Sequence, residues 1–512
     1  MTQFIGLLTS NGYVQAIMGY AVLLILIGWF VGGRVKNSSG FFVAGRRLSA
    51  GLLFTTLIAA NIGAGSTVGV AAIAYRSGVS AWWWIGSAGI GSMILAFLVG
   101  PRIWRIACRH NLYTLGDYLD RRYSRTFRGL FSGMMAVGTL ALFSGQLLGI
   151  AWILEVVAEV PKEAGVIVGA VVTTLYFMAG GLLSAAIVNL VEVVVILAGF
   201  LVALPCVWSF MGGWSGLVEK VSQNLAGADA GVLPDYFSMG GIGTTVIIGY
   251  LVMLVPSFFI SPGLIGKVFG ARDERAIKVG TAVNGVVQLF FAIIPVVIGM
   301  AAFACFPDLS RPDLALPTAM KEMMPFGIAT LALAAIFAAE VSTADAVLYM
   351  LATSVSNDLY RTFLNPAIED RALLGMTRVV TLASGLLGII FALFLDSIIS
   401  ALTIFYSLMS VSLAAPLVFG LFTRRASNAG ALLSSVCGVV LTLFCTFYRA
   451  APSVNLLVGK LDTATHLVDF GFTKLNATTC GILLAFVVMA LSLVLPPPKN
   501  QEAEFSELKS KA

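Results

Sequence analysis

"IAANIGAGSTVGV", residues 58–70, and "FFISPGLIGKVFG", residues 258–270, each interrupt an apolar run that is otherwise long enough to cross a bilayer. Gly63, Gly65 and Gly69 crowd the first, among the polar Asn61, Ser66 and Thr67; Pro262 and Gly263 adjoin in the second. A freed backbone group inside a membrane must be satisfied by protein or by a lined cavity. Either break alone reads as helix packing. Two breaks, five spans apart, are the pattern of transporters built from inverted repeats, with binding sites at the interruptions.

The rest of the chain supports a membrane setting. Of 512 residues, 59% are hydrophobic and 11% charged, against about 25% charged in soluble domains. Apolar runs of the ~20 residues a spanning helix needs predict thirteen spans, at 15–33, 50–75, 79–101, 127–154, 163–181, 184–212, 242–266, 279–305, 326–355, 374–395, 398–421, 428–448 and 478–496. The fold class expected is an all-α polytopic membrane protein in one transporter domain. Its repeats would cover 50–212 and 242–421, with peripheral helices in 1–49 and 422–496 and a tail at 497–512.

Assigning the connections alternately to two sides puts 23 Lys and Arg residues on one side and 8 on the other, Lys267 counted with the larger set. Basic loops stay cytoplasmic, so the N-terminus is expected outside and the tail inside, in a plasma or inner membrane. This asymmetry also accounts for the net charge of +6 without a nucleic-acid partner. The six cysteines and two histidines lack metal-type spacing, and the long gaps 213–241, 306–325 and 449–477 read as external loops. No nucleophile elbow, zinc-protease helix or phosphate-binding loop occurs, so no enzyme is expected. A channel would need a continuous polar path, and a sensor with a fused kinase would need chain beyond the last span.

"AAEVSTADAVLYM", residues 338–350, places Glu340 and Asp345 in an apolar helix. At 100° per residue Ala339, Ser342, Thr343 and Ala346 share a face, with Asp345 on its Ser342 edge and Glu340 beyond Thr343. Hydroxyls and carbonyls are hard donors for a small cation such as Na⁺, although Ser and Thr also bond back to their own helix. A second buried carboxylate, Glu192, shares a face with Asn189. Ionisable residues inside spans default to functional candidates.

With these residues in view, the chain resembles the sodium/solute symporter family, whose inverted-repeat fold is named after the bacterial leucine transporter. The resemblance rests on "FFVAGRRL" (41–48), "LIAANIGAGSTVG" (57–69), "AGGLLSAAIVNLVEV" (179–193) and "FAAEVSTADAVLYMLATSVSNDLYR" (337–361). It implies sodium-coupled symport of a small organic solute into the cell, with proton coupling as the alternative. It also implies a Na⁺ site from the carbonyls of Ala59, Ile62 and Ala339 and the hydroxyls of Ser342 and Thr343. The family often has Trp-Thr-Asp-x-x-Gln where this chain has Ile187, Val188, Asn189 and Glu192, and in sialic-acid members that Asp helps bind a second Na⁺. Here the acid is Asp345, as in the similar Ser-Ser-Ala-Asp of the choline branch, so a second cation site, or a proton-linked one, is expected at Asn189, Ser342 and Asp345. Sugar-transporting relatives use Gln and Glu where Ser66 and Ile85 stand, which argues against sugar. The substrate candidates are Asn61, Ser66, Thr67 and Ser261. A helix N-terminus at the break favours an organic acid or amino acid. The tryptophans of "AWWW" (81–84) read as interface anchors, with a cage for a choline-like cation as the rival.

Overall fold

The structure is a computed structural model that describes residues 11–32, 43–177, 181–226, 232–451, 453–456, 459–471 and 473–494. The predicted tail 497–512 and parts of two family motifs, residues 41–42 and 179–180, lie outside the described residues.

Among the described residues, each of the thirteen expected spans is largely helical. In chain order the helices are α1 (Gly12–Gly32), α2 (Ala50–Asn61), α3 (Val68–Ser77), α4 (Trp82–Ile94), α5 (Gly100–His110), α6 (Leu115–Arg122), α7 (Arg125–Ala158), α8 (Lys162–Phe177), α9 (Gly181–Met211), α10 (Gly213–Asn224), α11 (Val232–Tyr236), α12 (Thr244–Ile260), α13 (Pro262–Phe269), α14 (Glu274–Phe291), α15 (Ile293–Cys305), α16 (Ala315–Glu322), α17 (Phe326–Thr353), α18 (Asp370–Phe394), α19 (Ile398–Phe422), α20 (Asn428–Phe447) and α21 (Ala477–Ser492). Nine helical segments among the described residues are long and apolar enough to cross a membrane, some formed by consecutive helices. Burial ranks them. The apolar window of Phe326–Leu364 is 89% buried and that of Asn428–Phe447 only 33%, so α17 is central and α20 faces lipid.

The helices end where chemistry stops them. Ser49, Thr114, Ser124, Asp273, Ser427 and Asn476 each accept a backbone N–H at the start of a helix, satisfying a donor that the helix leaves free. At α14 the Ala276 amide, 2.6 Å from Asp273, holds that exposed carboxyl below the usual range. Arg122 is a buried cap of the opposite kind: its guanidinium donates to the carbonyls of Gly420, Thr423 and Ala426, each at 3.0 Å, around the end of α19.

Both predicted interruptions are present and differ in extent. The second span unwinds over residues 62–67 between α2 and α3. The seventh breaks only at Ser261, between α12 and the Pro262 that opens α13. The gap 449–477 is more ordered than the loop expected. It folds as a four-stranded antiparallel meander, β1 (Ser453–Asn455), β2 (Lys460–Asp462), β3 (Leu467–Asp469) and β4 (Lys474–Asn476), over Leu461, Val468, Leu475 and the buried Cys445 and Cys480. Three-residue strands are too short to show a period of two in sequence.

Lys267 requires a correction. Read as a loop cation, it lies inside α13 and is 2% exposed.

Replacing Arg122 by Met leaves three helix-end carbonyls without their charged donor, a loss of about 3 kcal/mol. Thermal unfolding of the purified protein is expected to fall by several degrees in Arg122→Met and less in Arg122→Lys.

Candidate functional site

The first break is built so that its unwound backbone finds partners at once. Gly63 N–H donates to Ser66 Oγ at 2.9 Å, Ser66 Oγ donates to the Asn61 carbonyl at 2.8 Å, and Ala64 N–H donates to Gln146 Oε1 of α7 at 2.9 Å. Across the bundle α17 supplies the rest. Ser342 Oγ lies 3.0 Å from the Ala59 carbonyl and 3.1 Å from that of Ala339. Thr343 Oγ1 lies 2.9 Å from the Ala59 carbonyl and 3.1 Å from that of Ile62. The three carbonyls and two hydroxyls named from the sequence therefore form one cluster of five oxygens, buried between α2 and α17. Glycine is required here: a Cβ on Gly63 would stand 2.3 Å from Thr343 Oγ1 and 2.7 Å from Gln146 Oε1.

Beside this cluster lies a cavity in two adjoining parts, both bordered by Ala60, Asn61, Leu142, Phe258 and Tyr406. One part adds Ser66, Trp84, Gln146, Gln288 and Thr343; the other adds Ser257, Ser261 and Met350. Thr343 thus belongs to both the oxygen cluster and the cavity wall. Three of the four substrate candidates, Asn61, Ser66 and Ser261, border the cavity. Thr67 does not: its Oγ1 turns the other way, 3.1 Å from Glu340 Oε1.

Several lining groups escaped the sequence reading. Gln288 donates to Ser92 Oγ at 3.1 Å, and its Oε1 makes no hydrogen bond among the described residues. Trp84 is not an interface anchor. It is 4% exposed and packs edge-on against Tyr250 and Tyr406, with centroids 5.1 and 6.2 Å away. Trp82 and Trp83 donate instead to the Leu289 and Met239 carbonyls. Period and hydropathy cannot separate three adjacent tryptophans; only their 100° steps around α4 do.

Of the three acids singled out in the sequence, Glu340 stands apart from the other two. Glu340 sits behind the break, where a Cβ on Gly149 of α7 would meet its carboxyl at 2.7 Å. Asp345 and Glu192 interact electrostatically with each other and with Lys267. Asn189 is buried on α9 nearby in sequence to Glu192.

The comparisons agree with this architecture. The Sodium:solute symporter family model matches residues 41–438. The chain is 28% identical to the sodium/pantothenate symporter of Escherichia coli over 441 residues, covering 82% of this chain and 88% of that one. It is 23% identical to the sodium/sialic acid symporter of Aliivibrio fischeri, covering 89% and 91%. Among solved structures, a substrate-bound, outward-open Na⁺-coupled sialic acid symporter superposes with a TM-score of 0.74 at 17% identity, covering 95% of this chain and 98% of that one. The nucleobase-cation symporter Mhp1 in a closed conformation gives 0.56 at 14% identity, covering 91% and 98%. The fold is therefore the leucine-transporter fold. With two broken helices, an oxygen cluster at one of them and a family match across most of its length, the chain belongs to the sodium:solute symporter family and is a sodium-coupled secondary transporter of the membrane.

Proposed function

We propose that Na⁺ binds at the five oxygens of Ala59, Ile62, Ala339, Ser342 and Thr343, and that the adjoining cavity takes a small organic acid or amino acid for uptake into the cell. The observation that carries this reading is the meeting of two segments 280 residues apart on one set of hard donors, the ligand type that suits a small hard cation. The five oxygens contact one another through Ser342 and Thr343, so a bound ion replaces hydrogen bonds with coordination and little rearrangement of the backbone. Thr343, shared with the cavity, supplies the physical link between ion and solute.

Supporting an anionic or zwitterionic solute, the side chains bordering both cavity parts include no Asp or Glu. Asn61, Ser66, Ser261, Gln146 and Gln288 would supply neutral hydrogen bonds. One observation favours a second reading: Trp84, Phe258 and Tyr406 form an aromatic wall, which would suit a choline-like cation. In both readings the repeats occupy 50–212 and 242–421. The N-terminus faces outward and the tail inward in a plasma or inner membrane; without the buried Lys267 the imbalance of basic residues is still 22 to 8.

Thermal stability of the purified protein in Na⁺ against K⁺ tests the ion site. A ligand at one hundred times its Kd stabilises by about 2.7 kcal/mol. Thr343→Ala is expected to weaken Na⁺ at least tenfold, leaving about 1.4 kcal/mol at the same concentration, whereas Thr343→Ser retains the effect. Equal stabilisation of wild type and Thr343→Ala by Na⁺ would place the ion elsewhere.

A second expected outcome follows from Gly63. Gly63→Ala forces its methyl into Thr343 and Gln146 and is expected to cost about 1–3 kcal/mol and to abolish the Na⁺ response.

Uptake into proteoliposomes under an inward Na⁺ gradient tests the solute class, with monocarboxylates, amino acids, quaternary ammonium compounds and sugars as the panel. Carboxylates or amino acids are expected to accumulate. Accumulation of quaternary ammonium compounds alone would select the second reading.

A further inference from the structure

Two glutamines border the part of the cavity that Thr343 also lines, and the main chain fixes how each amide is turned. An amide carries an oxygen that accepts and a nitrogen that donates, so a neighbour that engages one end leaves the other for the cavity. Gln146 of α7 gives its Oε1 to the Ala64 N–H at 2.9 Å. A backbone N–H can only donate, so Nε2 is the end left over. Gln288 of α14 is turned the opposite way. Its Nε2 donates to Ser92 Oγ at 3.1 Å and to the Asn284 carbonyl at 3.4 Å. A carbonyl can only accept, and the reverse turn would set two oxygens against each other. Among the described residues, neither Gln146 Nε2 nor Gln288 Oε1 makes a hydrogen bond, although both side chains are buried.

Resting on the reading of this cavity as the solute site, we propose that its solute is an amino acid, held by its carboxylate at Gln146 Nε2 and by its ammonium at Gln288 Oε1. The two glutamines then set specificity, one for each charged end of the solute.

The two amides reach one cavity from different helices with opposite polarity, so a solute with a single polar end satisfies only one of them. A buried polar atom left without a partner costs free energy, and a simple carboxylate would leave Gln288 Oε1 in that state. Asn61, whose Nδ2 donates to Asn284 Oδ1 at 3.3 Å, leaves a second acceptor, its own Oδ1, on the Gln288 side. The Gln146 end adjoins the five-oxygen cluster, because a Cβ on Gly63 would touch both Gln146 Oε1 and Thr343 Oγ1. The negative end of the solute is thereby set toward the Na⁺, and each favours the binding of the other. No Asp, Glu, Lys or Arg borders either cavity part, so the ammonium is met by amide oxygens and ring faces. The aromatic wall of Trp84, Phe258 and Tyr406, which would suit a choline-like cation, suits the ammonium of a zwitterion equally.

Thermal stability of the purified full-length protein in saturating Na⁺ tests the proposal with matched sets of probes. These are the common amino acids, the carboxylic acids that lack only the amino group, and the amines that lack only the carboxylate. At least one amino acid is expected to stabilise the protein, and its two one-ended analogues to bind at least about tenfold more weakly. Gln288→Met is expected to weaken that amino acid until it binds no better than its deaminated acid. Gln146→Glu keeps an oxygen for the Ala64 N–H and sets a negative charge where the carboxylate should lie, so it is expected to abolish amino-acid binding. A carboxylic acid that binds as tightly as its amino acid overturns the proposal and leaves the organic-acid reading standing. Stabilisation by no amino acid overturns it too, as does undiminished discrimination in Gln288→Met. Stabilisation by quaternary ammonium compounds alone would sink this proposal and the acid reading together. If a variant does not fold, the wild-type comparison of each amino acid with its one-ended analogues decides.

Discussion

Every peptide group that leaves a helix inside a bilayer needs a partner, because no water is there to supply one. At residues 62–67 that requirement organises the centre of the molecule. The Ala64 amide takes Gln146 from α7, and the carbonyls of Ala59 and Ile62 take Ser342 and Thr343 from α17. Because those partners come from two different helices, satisfying the break also fixes how α7 and α17 pack against the second span. The cavity and the oxygen cluster are then two sides of one solution. The cluster occupies the face where carbonyls converge, and the cavity the face where the unwound turn leaves room.

The same logic separates the three acids at membrane depth. Glu340 has polar company at the start of α3, where Thr67 approaches one of its oxygens and the helix end favours negative charge. It is held against Gly149, at a point where any larger residue on α7 would collide with it. Asp345 and Glu192 instead lie on helices packed around the buried Lys267. One helix, α17, thus carries two buried carboxylates five residues apart in unrelated surroundings.

Much of this was legible in the chain. Length and hydropathy sufficed to place helices at the expected spans, nine helical segments among the described residues being long and apolar enough to cross a membrane, and glycine and proline marked both breaks. Ser342 and Thr343 could be named through the family resemblance, because spacing alone leaves open that such hydroxyls bond back to their own helix. What stayed hidden depends on tertiary rotation. Lys267 follows a broken helix closely enough to pass for a loop residue, and nothing in its neighbours' hydropathy shows that α13 turns it inward. Thr67 adjoins Ser66, yet a step of one residue at the start of a helix turns it from the cavity to Glu340. Gln146 and Gln288 sit alone in apolar helices, where only the amide and hydroxyl they meet reveals their purpose. The meander at 453–476 is held by a few side chains over α20 and α21, contacts that no local pattern announces.

The two breaks are unequal, and the inequality constrains motion. Six residues separate α2 from α3, so those rods can shift through many soft torsions. Only Ser261, with φ −53° and ψ 124°, separates α12 from α13, and the ring of Pro262 locks the φ that follows. Between the two rods almost all freedom lies in the torsions of a single residue. Any rearrangement of α13 must therefore be a swivel of a rigid rod about that pivot, and the swivel would carry the Lys267 ammonium through an arc away from the Thr56 carbonyl. A one-residue pivot converts a small twist at the cavity wall into a displacement of charge at the far end of the rod.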